Sequence, residues 1–204
     1  AFIIGLLFTI KLPNPVQEKE LKPGTTRQVI SKNKFLFLSL LLRHIGAAAV
    51  WVILPIMIME KWGGDLYHIS VVYVANTLTA FILMNVMASK IHLSNITKFK
   101  IGIGATTFVF VGLAFVTDWW MAMPFMSLVG ATWAFLFIGG NFHLMENNPR
   151  STSTGIFSST LSIATVIGPV IGGTIAFLFD YVAVLYFAVV IIVCAFIVSL
   201  KIKK

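Results

Sequence analysis

Residues 181–200 have the sequence YVAVLYFAVVIIVCAFIVSL, a run of twenty residues without a charged side chain. At about 1.5 Å of rise per residue, a helix of this length spans about 30 Å, which is the thickness of the hydrocarbon core of a bilayer. A backbone surrounded by lipid must satisfy its hydrogen bonds within its own segment, and a helix does so. The run therefore predicts a membrane-spanning helix.

Five more apolar runs precede this one along the chain. They cover residues 35–59, 66–89, 101–117, 119–145 and 151–179, and the only charged residue inside them is Arg43. A soluble protein with buried helices is the alternative, but only 11% of the residues are charged, against about 25% in soluble domains. The sequence predicts an all-α, polytopic transmembrane bundle in which residues 35–200 form one six-helix domain.

The flanking segments complete the predicted organisation. Residues 1–10 (AFIIGLLFTI) are apolar and are expected to be the end of a preceding span, which implies that an N-terminal half of the protein lies upstream. Residues 11–34 are polar and are expected to form a cytoplasmic linker, and residues 201–204 a cytoplasmic tail.

The basic residues separate between alternate connections, which predicts the orientation in the membrane. Cytoplasmic loops carry an excess of Lys and Arg. One set of connections holds Lys11, Lys19, Lys22, Arg27, Lys32, Lys34, Lys90, Lys98, Lys100, Arg150, Lys201, Lys203 and Lys204. The other set holds only Lys61. The sequence thus predicts a multi-pass protein of the cell membrane with its linker and C-terminus in the cytoplasm, and the net charge of +8 needs no nucleic-acid partner.

Two local patterns carry a family resemblance. The fifth run contains Gly155, Ala164 and then GPVIGG at residues 168–173, and residues 85–90 have the sequence NVMASK. The first is similar to the glycine-rich antiporter-type pattern of the major facilitator superfamily, with Ala164 in place of a glycine. The second is similar to a degenerate GxxxDR loop of the same family, in which Ser89 replaces the acid. With the linker and the six spans, the chain resembles the C-terminal half of such a transporter; the N-terminal half is the alternative assignment.

The resemblance implies a fold and a binding site. The six helices would form two inverted three-helix repeats, and the first and fourth helices would line a central cavity. Residues on these helices and on the second are the candidates for substrate binding: Arg43, His44, Trp51, Asn76, Trp133, Phe137 and Asn141. A snorkelling arginine and an aromatic stripe that only packs in the core are the alternatives.

Small residues and prolines are the candidates for helix packing and gating. Close helix contacts in membranes use small side chains, and proline can bend a helix. The candidates are Pro55, Gly155, Gly168, Pro169, Gly172 and Gly173. Tight packing and a bending point remain alternative roles.

The remaining residues limit the chemistry. All seven acids lie outside the spans or at their ends, so proton coupling in this half would have to use His44 or His143. Neither a metal-ligand spacing nor a cofactor or nucleotide motif occurs, and Cys194 is expected to pack inside the bundle. The sequence therefore predicts a permease that moves a small solute by alternating access, with efflux of an amphiphilic, drug-like compound favoured. A sugar or metabolite facilitator or symporter, a membrane scaffold and a membrane-embedded enzyme are the alternatives.

Overall fold

The computed structural model describes residues 25–89 and 91–202 and is built from helices, with no strand in those ranges. The helices are α1 (Thr25–Lys32), α2 (Lys34–Glu60), α3 (Leu66–Ser89), α4 (Asn95–Leu113), α5 (Ala122–Asn147), α6 (Arg150–Leu178) and α7 (Tyr181–Leu200), with a 3₁₀ turn at Trp119–Met121 before α5. In the described part of the chain, α2 to α7 are the six helices long and apolar enough to cross a membrane. The predicted all-α, multi-pass membrane architecture is confirmed at this level. The predictions for residues 1–10, for the first part of the linker and for residues 203–204 lie outside the described residues.

The largest differences from the sequence prediction are at the third span and at the end of the linker. The third span was predicted over 101–117, but α4 covers Asn95–Leu113. It begins early because the Ser94 hydroxyl accepts a hydrogen bond from the backbone N–H of Thr97 and caps the helix. The end of the linker is also helical, because α1 packs against α6 through a buried Val29.

The packing follows a simple rule when α2–α4 and α5–α7 are taken as two triplets. The first helix of each triplet packs against the second and third helices of the other: α2 lies against α6 and α7, and α5 lies against α3 and α4. The two third helices, α4 and α7, also contact each other. Exchanging the triplets therefore leaves the main set of helix contacts unchanged.

The connections gather at two ends of the bundle, as alternate helix directions require. At one end, the backbone N–H of Trp119 donates to the carbonyl of Trp62 (3.0 Å), and Lys61 forms an ion pair with Asp180 (3.6 Å). At the other end, the Lys100 ammonium donates to the carbonyl of Ile202 (3.1 Å). The described acids and bases divide accordingly. Glu60, Asp65, Asp118 and Asp180 lie at the first end with Lys61, and Arg27, Lys32, Lys34, Lys98, Lys100, Arg150 and Lys201 lie at the other with Glu146.

The outer faces of the helices differ in polarity. The exposed face of α7 carries large apolar residues such as Val190 and Ile197, whereas α6 exposes hydroxyls such as Ser158 and Ser162 together with large apolar residues such as Val166. Cys194 lies on the exposed face of α7, so the expectation that it packs inside the bundle was wrong. Residues 181–200 carry no charged side chain, so the sequence does not indicate which face of the helix carries this thiol.

Candidate functional site

Arg43 is the only charged residue deep inside a described span. It lies nine residues after the start of α2, which places it about 13.5 Å along the helix axis. Only 2% of its side chain is exposed, and its contacts are with α4 and α5. The snorkelling alternative is wrong, because the guanidinium lies in the interior and not at the helix end.

The guanidinium has few partners. One terminal nitrogen donates to the hydroxyl of Thr106 on α4 (3.3 Å), and that hydroxyl donates in turn to the carbonyl of Gly102 (2.7 Å). The guanidinium carbon lies 5.5 Å from the centre of the Trp133 ring on α5, within cation–π range. The Nε atom is buried and has no hydrogen-bond partner among the described residues.

His44 and the aromatic residues of α5 continue the site. The His44 ring lies 5.5 Å from the Trp133 ring, which therefore contacts both residues of the Arg43–His44 pair. Trp133 is 5.4 Å from Phe137, and Phe137 meets Phe157 of α6 edge to face at 5.6 Å. These contacts place one aromatic row between α2, α5 and α6.

Asn141 ends this row. It is 5% exposed, and its amide nitrogen donates to the carbonyl of Phe137 (3.3 Å) within α5. Its Oδ1 and the Nδ1 of His44 are buried without a hydrogen-bond partner in the part of the chain that the structure describes. A buried polar atom without a partner costs about 1–3 kcal/mol, so each of these atoms, like Nε of Arg43, is one that water or a ligand would satisfy.

Trp51 and Asn76 belong to a separate group. The Trp51 ring lies 5.5 Å from Tyr73 of α3, whose hydroxyl donates to the Trp51 carbonyl (3.2 Å). The Asn76 amide donates to the carbonyl of Met126 on α5 (3.2 Å). Of the predicted cavity residues, Arg43, His44, Trp133 and Phe137 are thus brought together, and Asn141 lies one turn beyond Phe137 on α5. Trp51 and Asn76 instead connect α2 and α5 to α3.

The residues predicted to act in helix packing and gating also fall into two groups, one at a helix contact and one away from it. A Cβ added at Gly168 would lie 2.5 Å from the Cβ of Ala48, and one added at Gly172 would lie 2.5 Å from the carbonyl oxygen of Ala49. Both glycines therefore lie where α6 crosses α2. Pro169 is inside α6 between them.

The other packing candidates lie away from this crossing. At Gly155 and Gly173, an added Cβ would meet no atom of the described residues within 4 Å. Neither glycine is at a helix contact in this unit, because both lie on the exposed side of α6. Gly155 lines a groove of about 640 Å³ between α1, α2 and α6, which is separate from the Arg43 site. Pro55 is inside α2, half-buried.

Three residues that hold the helices around the site together were not identified from the sequence: Thr106, Gly102 and Gly130. Thr106 carries no motif, and its pairing with Arg43 joins positions 63 residues apart. An added Cβ at Gly102 would lie 2.5 Å from the backbone nitrogen of Leu136, so this glycine brings α4 onto α5. A second small residue, Gly130, brings α5 against the backbone of Asn76 in the same way. The presence of glycine within an apolar helix was the available sequence signal for these close helix contacts.

Among the described residues, the Arg43 site is cationic and has no carboxylate within 4 Å of the guanidinium. Neither the Lys61–Asp180 ion pair nor the contact between Asp65 and His68 includes Arg43. No group of three metal-ligating side chains occurs within residues 25–89 and 91–202. The arrangement is suited to binding through hydrogen bonds, charge and aromatic contact.

No family model matches this chain, and a comparison with curated proteins finds no match.

Proposed function

We propose that the chain is a six-helix unit of a secondary transporter of the major facilitator type, which moves a small solute across the membrane by alternating access. The observation that carries the proposal is the Arg43 site. Its polar atoms without partners lie between α2 and α5, the first helices of the two triplets, where a solute would contact both. Transporters built from inverted repeats bind their substrates near the midplane at the repeat interface.

The packing rule supports two inverted repeats. Three consecutive spans change direction an odd number of times, so the second triplet begins on the opposite side of the membrane from the first. Exchange of the triplets maps α2 onto α5 and preserves the main helix contacts. A pseudo-two-fold axis in the membrane plane is the relation that this exchange requires.

The described charges support the proposed orientation. Seven basic residues and one acid lie at the end that holds Arg150, against one base and four acids at the end that holds Asp180. The first of these ends is cytoplasmic by the positive-inside rule. In a Cys194→Ser background, a single cysteine at Ser151 should be labelled by an impermeant maleimide only from the cytoplasmic side, and one at Gly63 only from the outside. The reverse labelling would contradict the orientation.

The exposed hydroxyls of α6 support a second helical unit as partner. A lipid-facing helix surface is apolar, as on α7. The exposed face of α6 has apolar residues as well, but it also carries hydroxyls such as Ser158 and Ser162, which favour contact with protein or water. We propose that the N-terminal half of the transporter covers this face. Gating then takes place at the crossing of α2 and α6, where Gly168 and Gly172 allow close approach.

Flux into vesicles that contain this six-helix unit together with the proposed N-terminal half tests the transport function. Three radiolabelled probes cover the charge classes: benzoate, glucose and tetraphenylphosphonium. At least one should enter protein-containing vesicles faster than protein-free vesicles. Gly168→Leu should abolish that flux, because its side chain would meet the backbone of α2, and Gly173→Leu on the open side should retain it. Equal entry of all three probes into both kinds of vesicle would contradict transport and favour a membrane scaffold.

A further inference from the structure

We propose that the solute is a small organic anion, whose carboxylate binds the Arg43 guanidinium and whose apolar body packs on Trp133 and Phe137. This inference rests on the transport function proposed above, and it assigns the charge class of the solute.

The charge of the site is the first step. The Arg43 side chain is 2% exposed, and no carboxylate of the described residues lies within 4 Å of it. A buried charge is costly unless it is paired, and a charge retained inside a membrane span marks a functional site. An anionic ligand would supply the missing counter-charge.

The geometry of the guanidinium is the second step. Its planar fork of five N–H donors is suited to a carboxylate, which can accept two parallel hydrogen bonds. One described hydrogen bond, to Thr106, uses this fork, and the Nε donor is left without a partner. A carboxylate oxygen would satisfy that donor.

The aromatic row gives the shape of the ligand. Trp133 is half-buried, and its ring centre lies 5.5 Å from the guanidinium carbon, so the apolar body of an anion bound to Arg43 would lie beside the indole. Phe137 continues the aromatic row next to Trp133, and the fully buried Phe157 packs edge to face against Phe137. A flat apolar body attached to a carboxylate, as in an aromatic acid, would contact both features at once.

An organic cation is disfavoured by the same groups. It would lie beside Arg43, and the carboxylates of the described spans lie at helix ends: Glu60 is the last residue of α2, and Glu146 accepts a hydrogen bond from Asn95 near the end of α5. A neutral aromatic solute could use the row but not the charge. An anionic, a neutral and a cationic derivative of the same aromatic ring therefore distinguish between these three classes of ligand.

Binding to the purified chain in lipid nanodiscs tests the inference. Benzoate, benzamide and benzylamine have nearly the same size and are anionic, neutral and cationic at pH 7. Radiolabelled benzoate should bind, and unlabelled benzoate should displace it at concentrations at least about tenfold lower than benzamide or benzylamine, the ratio that 1.4 kcal/mol corresponds to. Arg43→Gln should weaken benzoate binding at least about tenfold and Arg43→Lys less, because lysine keeps the charge but not the fork. Arg150→Gln, which removes an exposed cation at the start of α6, should leave binding unchanged.

The outcomes separate this inference from the transport function. Displacement by benzamide as effective as that by benzoate, or undiminished benzoate binding in Arg43→Gln, would overturn the anion site, as would the absence of benzoate binding at millimolar concentration. The comparison of the three ligands uses the unmodified chain, so it does not depend on the folding of a variant. Benzoate binding without flux of any probe would support the anion site and contradict transport. Flux of glucose or tetraphenylphosphonium but not of benzoate would support transport and contradict the anion site.

Discussion

Substitution of Gly172 by alanine should weaken the contact between α6 and α2. The new Cβ would lie 2.5 Å from the carbonyl oxygen and 2.8 Å from the Cα of Ala49, against about 3.4 Å for an ordinary contact, so the helices must separate by about 0.9 Å. The obstructing atoms belong to the backbone of α2 and cannot rotate away. Overpacking of this kind costs about 1–3 kcal/mol of unfolding free energy.

Gly173→Ala is the matched control for this substitution. It is the adjacent residue of the same helix, and its added Cβ would meet no described atom within 4 Å. Each substitution gains about 0.5–1 kcal/mol from the higher helix propensity of alanine, so the difference between the two variants measures the packing alone. The assay is unfolding in mixed micelles with increasing dodecyl sulfate, followed by circular dichroism. Equal midpoints for the two variants would refute the close approach of α6 and α2 at this position.

Two further substitutions test the Arg43 site and one helix start. Thr106→Val removes the hydroxyl that binds the buried guanidinium of Arg43 and should cost about 1–3 kcal/mol in the same assay, whereas Thr107→Val, its sequence neighbour, should cost less; equal losses would contradict the Arg43–Thr106 bond. The Asp65 carboxylate accepts a hydrogen bond from the backbone N–H of His68 at the start of α3, which lowers the pKa of Asp65 below its ordinary value. A lowered pKa stabilises the folded state above the ordinary value, and this stabilisation is lost as the pH falls through the lowered pKa. Asp65→Ala should therefore lower the melting temperature at pH 7. At an acidic pH at which the wild-type carboxylate is protonated, the same substitution should leave the melting temperature unchanged. An equal decrease at pH 7 and at the acidic pH would exclude this electrostatic cause.

The spans were predictable because lipid imposes a length and an absence of charge. The last two spans were predicted within one residue at each end, since Arg150 and Asp180 mark their boundaries. The start of α4 was not predictable by the same criterion. Lys98 and Lys100 were assigned to a loop as charged residues, but Lys98 is buried in the helix and Lys100 binds the carbonyl of Ile202. Such contacts depend on residues far away in the sequence.

The candidate site was predictable within a helix but not between helices. The contact of Trp133 with Phe137 follows from their spacing of four residues. The contacts of Trp133 with Arg43 and His44 depend on how α5 lies against α2, which no local pattern specifies. Trp51 follows His44 by seven residues and so lies on roughly the same face of α2, but two turns further along α2 the neighbouring helix is α3.

The position of Cys194 provides an experimental handle. It is the only cysteine in the sequence, and it lies on the exposed face of α7, six residues before that helix ends at Leu200. A nitroxide attached to this native thiol would lie about 9 Å from the helix end, among the acyl chains if α7 spans the bilayer. Its electron paramagnetic resonance signal should then relax with oxygen, which dissolves in lipid, and not with a water-soluble nickel chelate. The depth of the bundle in the membrane is thus measurable without any substitution in the sequence.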